Sequence, residues 1–382
     1  MKNAISVWSP QGHGAEESFI VLAPENGGDF SQQASALLAG YQDCLRDNDL
    51  GPAVTMTFFL SDAANQEPIL RSHPAFMALD LPITLIQQPP AKSKIGLLAY
   101  HVSRPDGLGK RKALQPQGCK ASASAVVLEA PAYEFIYFKN LVAAGQSNAA
   151  SQTDALMGTS GQGLLSSGVV WPEVVRTWLY IHDIDTNYRP VSQARNALFE
   201  RHGVNAGTGF PASTGIEGRS ADHSDVLLLD ALAIKGLQPG QSRGMSVPTH
   251  MNPTVEYGVT FERGRAVSFG DRRHLYISGT ASIDNHGTIL FEGDVTRQTE
   301  RAIENVRALL ATCQAELSDM RYLLVYLRDS LDGEAVEAVL SCSGLKDVPR
   351  ILVRAPVCRP GWLVEMEGVA IDGKGDKAFA SF

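Results

Sequence analysis

The sequence lacks the features of a membrane protein and of a disulfide-stabilised secreted protein. No run approaches the roughly 18 apolar residues of a spanning helix, and the opening residues MKNAISVWSPQGHG contain no signal-peptide core. The five cysteines are odd in number, scattered and without C-x-x-C spacing, which argues against a disulfide framework or a cysteine zinc site. These absences predict a cytoplasmic protein with no membrane partner.

Positive charge is also scarce. The chain has 33 Lys and Arg against 41 Asp and Glu, a net charge of −8, so no basic stripe favours nucleic acid as a partner. The histidines lack metal-ligand spacing, and the glycine-rich SGTASIDNHG lacks the G-x-G-x-x-G and G-x-x-x-x-G-K-[ST] nucleotide motifs. The sequence therefore implies no metal and no cofactor, and it favours a small-molecule substrate. If that substrate is an anion, local arginines must attract it.

What the chain does contain is one order of predicted elements, repeated three times. In the last third, strands are predicted at 274–284, 323–329, 349–357 and 362–371, with helices at 333–340 and on the apolar positions Ile303, Val306, Leu310, Cys313 and Leu317. In the middle third, strands are predicted at 135–145, 174–185, 211–218 and 225–234, with helices within 150–168 and at 192–203. In the first third, strands are predicted at 18–24, 55–62, 82–90 and 95–102, with helices over 34–45 and near 66–77.

This β-α-β-α-β-β order predicts an α+β fold of three repeats, at residues 1–110, 130–240 and 250–382. The segments 103–130 and 236–256, rich in Gly, Pro, Ser and Gln, are predicted to be linkers. Helices on one face of each sheet leave the other face to pack against a neighbouring repeat. One chain could then form a closed pseudo-trimeric barrel, a monomer with internal pseudo-three-fold symmetry.

The last predicted strand contains a candidate acid. Glu365 and Glu367 are two residues apart and would share a strand face, whereas the middle repeat has Leu228 at the position of Glu365. A buried carboxyl has a raised pKa and can donate and later accept a proton. The alternative is a solvent-facing glutamate. The C-terminal repeat is therefore the predicted reaction centre.

The segment PRILVRAPVCRPGWLVEMEGVAI resembles the end of a RidA (YjgF/L-PSP) domain, in which an arginine opens a strand and the final strand carries E-x-E. The resemblance aligns Arg350 with the arginine that binds the ligand carboxylate in that family. RidA proteins are trimers with ligand sites between subunits. The resemblance therefore implies that this chain is a trimer fused into one polypeptide, with a chorismate-mutase-like fold in each repeat.

A second resemblance covers most of residues 130–372. TWLYIHDIDTNYRPVSQARN, FPASTGIEG, NPTVEYG, YISGTASID, GDVTRQT and CRPGWLVEMEG, in this order, resemble the chorismatase family. Its members convert chorismate to pyruvate and either a dihydroxycyclohexadiene carboxylate or a hydroxybenzoate. A cysteine seven residues before the active-site glutamate is associated with the hydroxybenzoate branch, and here that cysteine is Cys358 before Glu365. A pocket-lining glycine is also associated with it, and Gly279 is the candidate.

The resemblance implies a cofactor-independent chorismatase that forms 3-hydroxybenzoate, with 4-hydroxybenzoate as a candidate second product, and pyruvate. Glu365 would be the catalytic acid. Cys358 would shape the pocket wall, because no histidine partner for a nucleophile is apparent; the alternative is a buried apolar cysteine. The implied substrate-binding residues are Tyr188, Arg195, Tyr257, Arg350 and Gly279. For Arg350, a surface salt bridge is the alternative.

Three other functions remain open at this point. The same fold could hydrolyse chorismate to the non-aromatic acid, which Cys358 disfavours. It could deaminate imines as RidA proteins do, although the segment from Tyr188 to Arg195 has no counterpart in single-domain RidA proteins. It could also be a binding protein without catalysis, in which case Glu365→Gln would change nothing.

Overall fold

Three mixed β-sheets follow one another along the chain. The computed structural model describes residues 2–10, 14–25, 27–103 and 111–382. The strands of the first sheet are β1 Lys2–Trp8, β2 Glu16–Ala23, β3 Ala53–Leu60, β4 Ile83–Gln87 and β5 Ile95–Ser103. Those of the second sheet are β6 Arg111–Leu114, β7 Ser124–Glu129, β8 Glu134–Val142, β9 Val174–Ile181, β10 Ala212–Glu217 and β11 Leu227–Lys235. Those of the third sheet are β12 Ser242–Met245, β13 Gly264–Ser268, β14 Arg273–Ala281, β15 Met320–Leu327, β16 Arg350–Arg354 and β17 Val364–Asp372.

The three sheets share one strand order, which confirms the predicted α+β fold of three repeats. The orders are β1-β2-β5-β3-β4, β7-β8-β11-β9-β10 and β13-β14-β17-β15-β16, with β6 and β12 added at the edges of the second and third sheets. In each repeat the last pair of this order is parallel and the other pairs are antiparallel. Each repeat has one more leading strand than predicted, so the observed unit is β-β-α-β-α-β-β.

The prediction that 103–130 and 236–256 are linkers was wrong. The described part of the first segment contains β6 and β7, and the second contains β12. Their glycine and serine content is typical of loops, but pairing with β8 and β13 at the sheet edges overrides that local preference. We propose that the middle repeat begins at β6 and the C-terminal repeat at β12.

Helices follow the strands as the apolar periodicity predicts. They are α1 Phe30–Asn48, α2 Ala63–Ser72, α3 Pro74–Met77, α4 Ala149–Met157, α5 Ile184–Arg201, α6 Val295–Ala311 and α7 Gly333–Ser341. Asp294 caps α6 by accepting from the Arg297 backbone N–H. Because α5 begins at Ile184 rather than at residue 192, Tyr188 lies inside it, two turns before Arg195 and on the same face.

The three sheets are joined in a ring by equivalent hydrogen bonds. The last residue of each parallel edge strand donates its backbone N–H to a carbonyl just beyond the edge strand of another repeat. These bonds are Gln87 to Arg219 (2.8 Å), Glu217 to Pro356 (3.1 Å) and Arg354 to Pro89 (2.7 Å). Each bond repeats the same offset, so the arrangement has pseudo-three-fold symmetry. Within the described residues the strand pairing between one sheet and another is limited to isolated bridges, so the predicted closed barrel is not found.

A cavity of about 90 Å³ lies where the three sheets meet, lined by residues from every repeat, including Tyr100, Tyr180 and Tyr322. Around it, most strand side chains are buried and apolar. All five cysteines are unpaired. In the part of the chain that the structure describes, no helix is long and apolar enough to cross a membrane.

Candidate active site

A second cavity, of about 30 Å³, lies between the middle and C-terminal repeats. Its wall is formed by α5, β10, β14, β17 and the segments before β13 and β17. The lining residues are Tyr188, Arg195, Ser213, Thr214, Gly215, Phe261, Arg263, Gly279, Ala281, Ile283, Cys358, Trp362 and Glu365. Five residues that the sequence analysis assigned to one site therefore lie together: Glu365, Cys358, Tyr188, Arg195 and Gly279.

Glu365 is the acidic residue of this cavity. It lies on β17 and is only 6% exposed. Burial raises the pKa of Glu365 to about 8, and the nearby charge of Glu367 acts in the same direction, while Arg263 and Arg176 oppose the shift. Within the described residues, no group donates a hydrogen bond to its carboxyl. Glu365 is therefore largely protonated near neutral pH and can act as a general acid.

Gly279 allows the Glu365 carboxyl to occupy its position. A Cβ atom on Gly279 would lie 2.2 Å from Oε1 of Glu365 and 3.1 Å from Cγ2 of Thr214. The β14–β17 register shifts between Ile277 and Thr280, and the Gly279 N–H donates to Oγ1 of Thr214 (2.9 Å). Any side chain at this position would displace the acid.

Cys358 and Tyr188 form another part of the wall. The Tyr188 hydroxyl hydrogen-bonds the Cys358 thiol, while burial and the neighbouring Glu365 raise the pKa of that thiol to about 12. A neutral thiol is a poor nucleophile. The structure therefore agrees with a wall position for Cys358 and provides no basis for covalent catalysis.

Two guanidinium groups supply positive charge. Arg195 on α5 is 3% exposed and its Nη1 lies 3.5 Å from Oγ of Ser213. Arg263, just before β13, is 6% exposed and donates from Nη2 to the Asn252 carbonyl (2.9 Å). Two arginines beside one buried carboxyl could bind a ligand with two carboxylates.

The Glu367 carboxylate is surrounded by hydrogen-bond donors. It accepts from Arg176, Thr214, Trp178 (2.7 Å) and Tyr326 (3.0 Å). The interface between the first and middle repeats has an equivalent group, in which Asp230 accepts from Lys139, Thr84 (2.6 Å) and the Asn140 backbone (2.8 Å). These two sets of contacts, which we call the carboxylate clamps, join adjacent repeats. Because one clamp occurs where Leu228 replaces the acid, Glu367 has an assembly role.

Arg350 is the predicted site residue that the structure does not bring to the cavity. Its guanidinium pairs with Glu337 on α7 (2.5 Å) and donates to the carbonyls of Leu345, Lys346 and Val348. As the first residue of edge strand β16, Arg350 faces α7 and its following turn. The structure therefore shows no substrate-site contact for Arg350 and favours the alternative, a salt bridge, although this one is buried rather than on the surface, since the Arg350 side chain is 5% exposed.

Arg350→Met is expected to lower the free energy of unfolding by roughly 1–3 kcal/mol, because carbonyl and carboxylate acceptors lose a charged donor. Turnover should stay within about twofold of the unmodified protein, since no contact reaches the cavity. Urea denaturation and an activity assay measure the two effects, with Glu337→Gln as the matched control for the same ion pair. A correctly folded Arg350→Met protein with activity lowered a hundredfold would contradict this assignment.

The side chain of Tyr257 lies outside the described residues, so its predicted substrate contact stays a prediction. Several lining residues were not predicted from the sequence, among them Ser213, Thr214, Phe261 and Trp362. Of these, all but Phe261 lie in the motifs that resemble the chorismatase family. Among the described residues, no group of three or more His, Cys, Asp or Glu side chains could hold a metal ion.

Comparisons with known proteins agree with this fold. A family model described as Endoribonuclease L-PSP matches residues 265–372. A RutC family protein of Pyrococcus abyssi is 32% identical over 97 residues, which are 25% of this chain and 76% of that protein. A 3-hydroxybenzoate synthase of Streptomyces hygroscopicus is 28% identical over 221 residues, 53% of this chain and 64% of the synthase, so the match spans less than two thirds of that relative.

A crystal structure of a chorismatase superimposes with a TM-score of 0.66 at 20% identity, covering 95% of this chain and 100% of that one. This likeness extends over all three repeats. The chain therefore belongs to the RidA-like superfamily of L-PSP and RutC proteins, and its fold is that of a chorismatase.

Proposed function

We propose that this protein is a chorismatase that converts chorismate to 3-hydroxybenzoate and pyruvate, with 4-hydroxybenzoate as a candidate second product. The observation that carries the proposal is the buried Glu365 carboxyl, with its pKa raised to about 8, in one cavity with two arginines. The name of the Streptomyces relative and the cysteine seven residues before the acid support the hydroxybenzoate product.

The reaction begins with proton transfer from Glu365 to the terminal methylene carbon of the enol ether. The resulting oxocarbenium withdraws electrons from the bond between the ether oxygen and the ring carbon. The neighbouring ring hydroxyl attacks that carbon, the ring–oxygen bond breaks, and its electron pair becomes the ketone of pyruvate. The hydroxyl proton returns to the Glu365 carboxylate, and the epoxide-like ring intermediate opens and aromatises. No water is consumed, which distinguishes this route from hydrolysis.

The two guanidinium groups would orient the substrate. Chorismate carries a carboxylate on its ring and another on its enol-pyruvyl group, and Arg195 and Arg263 are the cations that line the cavity. Since the whole chain is negatively charged, attraction must come from such local groups rather than from the overall field. Tyr188 would fix the ring next to Cys358.

The direct test incubates the purified protein with chorismate without added metal or nucleotide. Pyruvate is followed by a coupled assay and aromatic products by chromatography. Equal amounts of pyruvate and hydroxybenzoate, with no ¹⁸O from labelled water in the hydroxybenzoate, are expected. The dihydroxycyclohexadiene carboxylate in place of hydroxybenzoate would instead indicate hydrolysis. Unchanged chorismate would contradict the proposal and make imines the next substrates to test.

Cys358→Ala is expected to change the product more than the rate. Removing the thiol leaves space next to Glu365 for a water molecule, which needs only about 10–15 Å³ of accessible volume. Water can then capture the activated carbon, so the dihydroxycyclohexadiene carboxylate should appear while turnover stays within about tenfold. The exposed Cys342→Ala is the control. An unchanged product ratio in Cys358→Ala would show that this thiol does not steer the reaction.

A further inference from the structure

The cavity is too small for the proposed substrate. Its volume is about 30 Å³, whereas ligand sites usually measure about 300–1,000 Å³. A six-membered ring with two carboxylate-bearing groups cannot enter it without movement of the wall. The structure therefore represents a closed state of the site.

A larger pocket, of about 220 Å³, adjoins this active-site cavity. Phe261 and Arg263 line both spaces and separate one from the other. The other lining residues of this pocket include Met251, Asn252 and Thr254. It is the adjoining space large enough to receive part of a ligand before the ligand reaches Glu365.

Residues 252–255 line this pocket, and we call the segment that runs from them to residue 260 the lid. The lid contains a single 3-10 turn, Thr254–Tyr257, between Pro253 and Gly258, which has a φ of 81°. Val255 in that turn is 48% exposed, whereas Val259 after it is 6% exposed. Tyr257, predicted from the sequence to contact the substrate, is the last residue of the turn.

A few side-chain hydrogen bonds hold the lid closed. Asn196 donates to the Gly258 carbonyl (2.7 Å) and accepts from the Thr260 hydroxyl (2.8 Å). Thr254 donates to the Phe261 carbonyl (2.6 Å), and Arg263 donates to the Asn252 carbonyl (2.9 Å). Asn196 follows Arg195 on α5, so the helix that carries two site residues also anchors the lid.

We propose that residues 252–260 open as a lid, join the adjoining pocket to the cavity and admit the anionic substrate. The identity of that substrate rests on the proposed function, whereas the opening itself does not. When the lid opens, the bond between Arg263 and the Asn252 carbonyl breaks. The guanidinium then becomes available to a substrate carboxylate, so opening and anion binding are coupled.

The test compares Asn196→Ala with Asn65→Ala, an exposed asparagine of the first repeat. Hydrogen–deuterium exchange of the backbone amides of residues 254–260 is measured without ligand, and kcat and KM are measured with chorismate. Asn196→Ala should speed exchange of these amides about tenfold, because both contacts of Asn196 with the lid are lost. It should change KM more than kcat, while β14 amides and Asn65→Ala remain unaffected.

Chorismate bound to the Glu365→Gln protein should speed exchange of the same amides, because the substrate takes Arg263 from the Asn252 carbonyl and holds the lid open. If lid amides exchange as slowly as those of β14 and Asn196→Ala leaves their exchange and KM unchanged, the segment is a fixed wall and the lid proposal is wrong. If the lid opens but chorismate neither reacts nor alters exchange, the lid stands and the proposed function fails.

Discussion

Glu365→Gln is expected to reduce turnover of chorismate by about 10²–10⁴-fold, the contribution of a positioned general acid. The amide has nearly the same shape but cannot transfer the proton. In the unmodified protein the acid must be neutral, so activity should fall as pH rises past about 8, the pKa to which burial raises Glu365. The measurement is kcat between pH 5 and 10. The exposed Glu334→Gln is the matched control.

The same substitution should alter how stability depends on pH. The folded protein holds the Glu365 proton more tightly than the unfolded chain, whose value is near 4.5. The contribution of Glu365 protonation to the free energy of unfolding is therefore fully present below pH 4.5 and is lost as pH rises through about 8. The loss between pH 5 and 9 is roughly 4 kcal/mol. Glu365→Gln does not ionise and should keep this stability. Identical pH dependence of urea denaturation in the two proteins would place Glu365 in contact with water.

Gly279→Ala is expected to lower kcat at least about 100-fold while the protein still folds, because a misplacement of about 1 Å can cost that much. The new methyl group would lie 2.2 Å from Oε1 of Glu365, so the carboxyl must rotate away from the cavity. Folding should survive because the displaced atoms are the end of a flexible side chain. Kinetics and urea denaturation separate the two effects.

Gly373→Ala provides the control for Gly279→Ala. A Cβ at Gly373 would meet no atom within 4 Å, so this glycine can gain a methyl group without displacing a neighbour. Its kcat should equal that of the unmodified protein. Full activity in Gly279→Ala would mean that catalysis does not depend on the position of the Glu365 carboxyl next to Gly279.

The sequence predicts much of this molecule because local patterns determine it. The alternation of strands and the apolar face of α6 are properties of neighbouring residues, and they identify three repeats. The edge strands β6 and β12 were missed because each has only four residues in a segment of loop-like composition, and pairing with the next strand along the chain overrides that local preference. The partner of Arg350 was not predicted because Glu337 lies on the preceding helix, and only the packing of α7 against β16 brings the two together.

In the site, too, some residues could be predicted from local motifs and others depend on how the repeats pack. Glu365, Cys358, Tyr188 and Arg195 were predicted to share a site because they lie in long motifs that resemble a known family, and all four line one cavity. The carboxylate clamps were not predicted, since each joins strands of two repeats that are far apart in the chain. Arg176 carries no local signal at all: in a strand pattern it is a single charged residue, and its burial against Glu367 depends on how the repeats pack.

Because the ring of edge-strand hydrogen bonds joins three repeats of one chain, a substitution can alter one interface and leave the other two unchanged. In a homotrimer one substitution alters three interfaces, but here it alters one. Two interfaces have equivalent contacts. The backbone N–H of Asn140 donates to Thr84 at one of them, as that of Gly279 donates to Thr214 at the other. In the neighbouring strand pairs, Leu228 lies opposite Tyr180, as Glu365 lies opposite Tyr326. At the remaining interface Ile351 lies over Gly96. The proposed acid thus belongs to one of the three interfaces, so a mutation that strengthens either of the others need not harm the reaction.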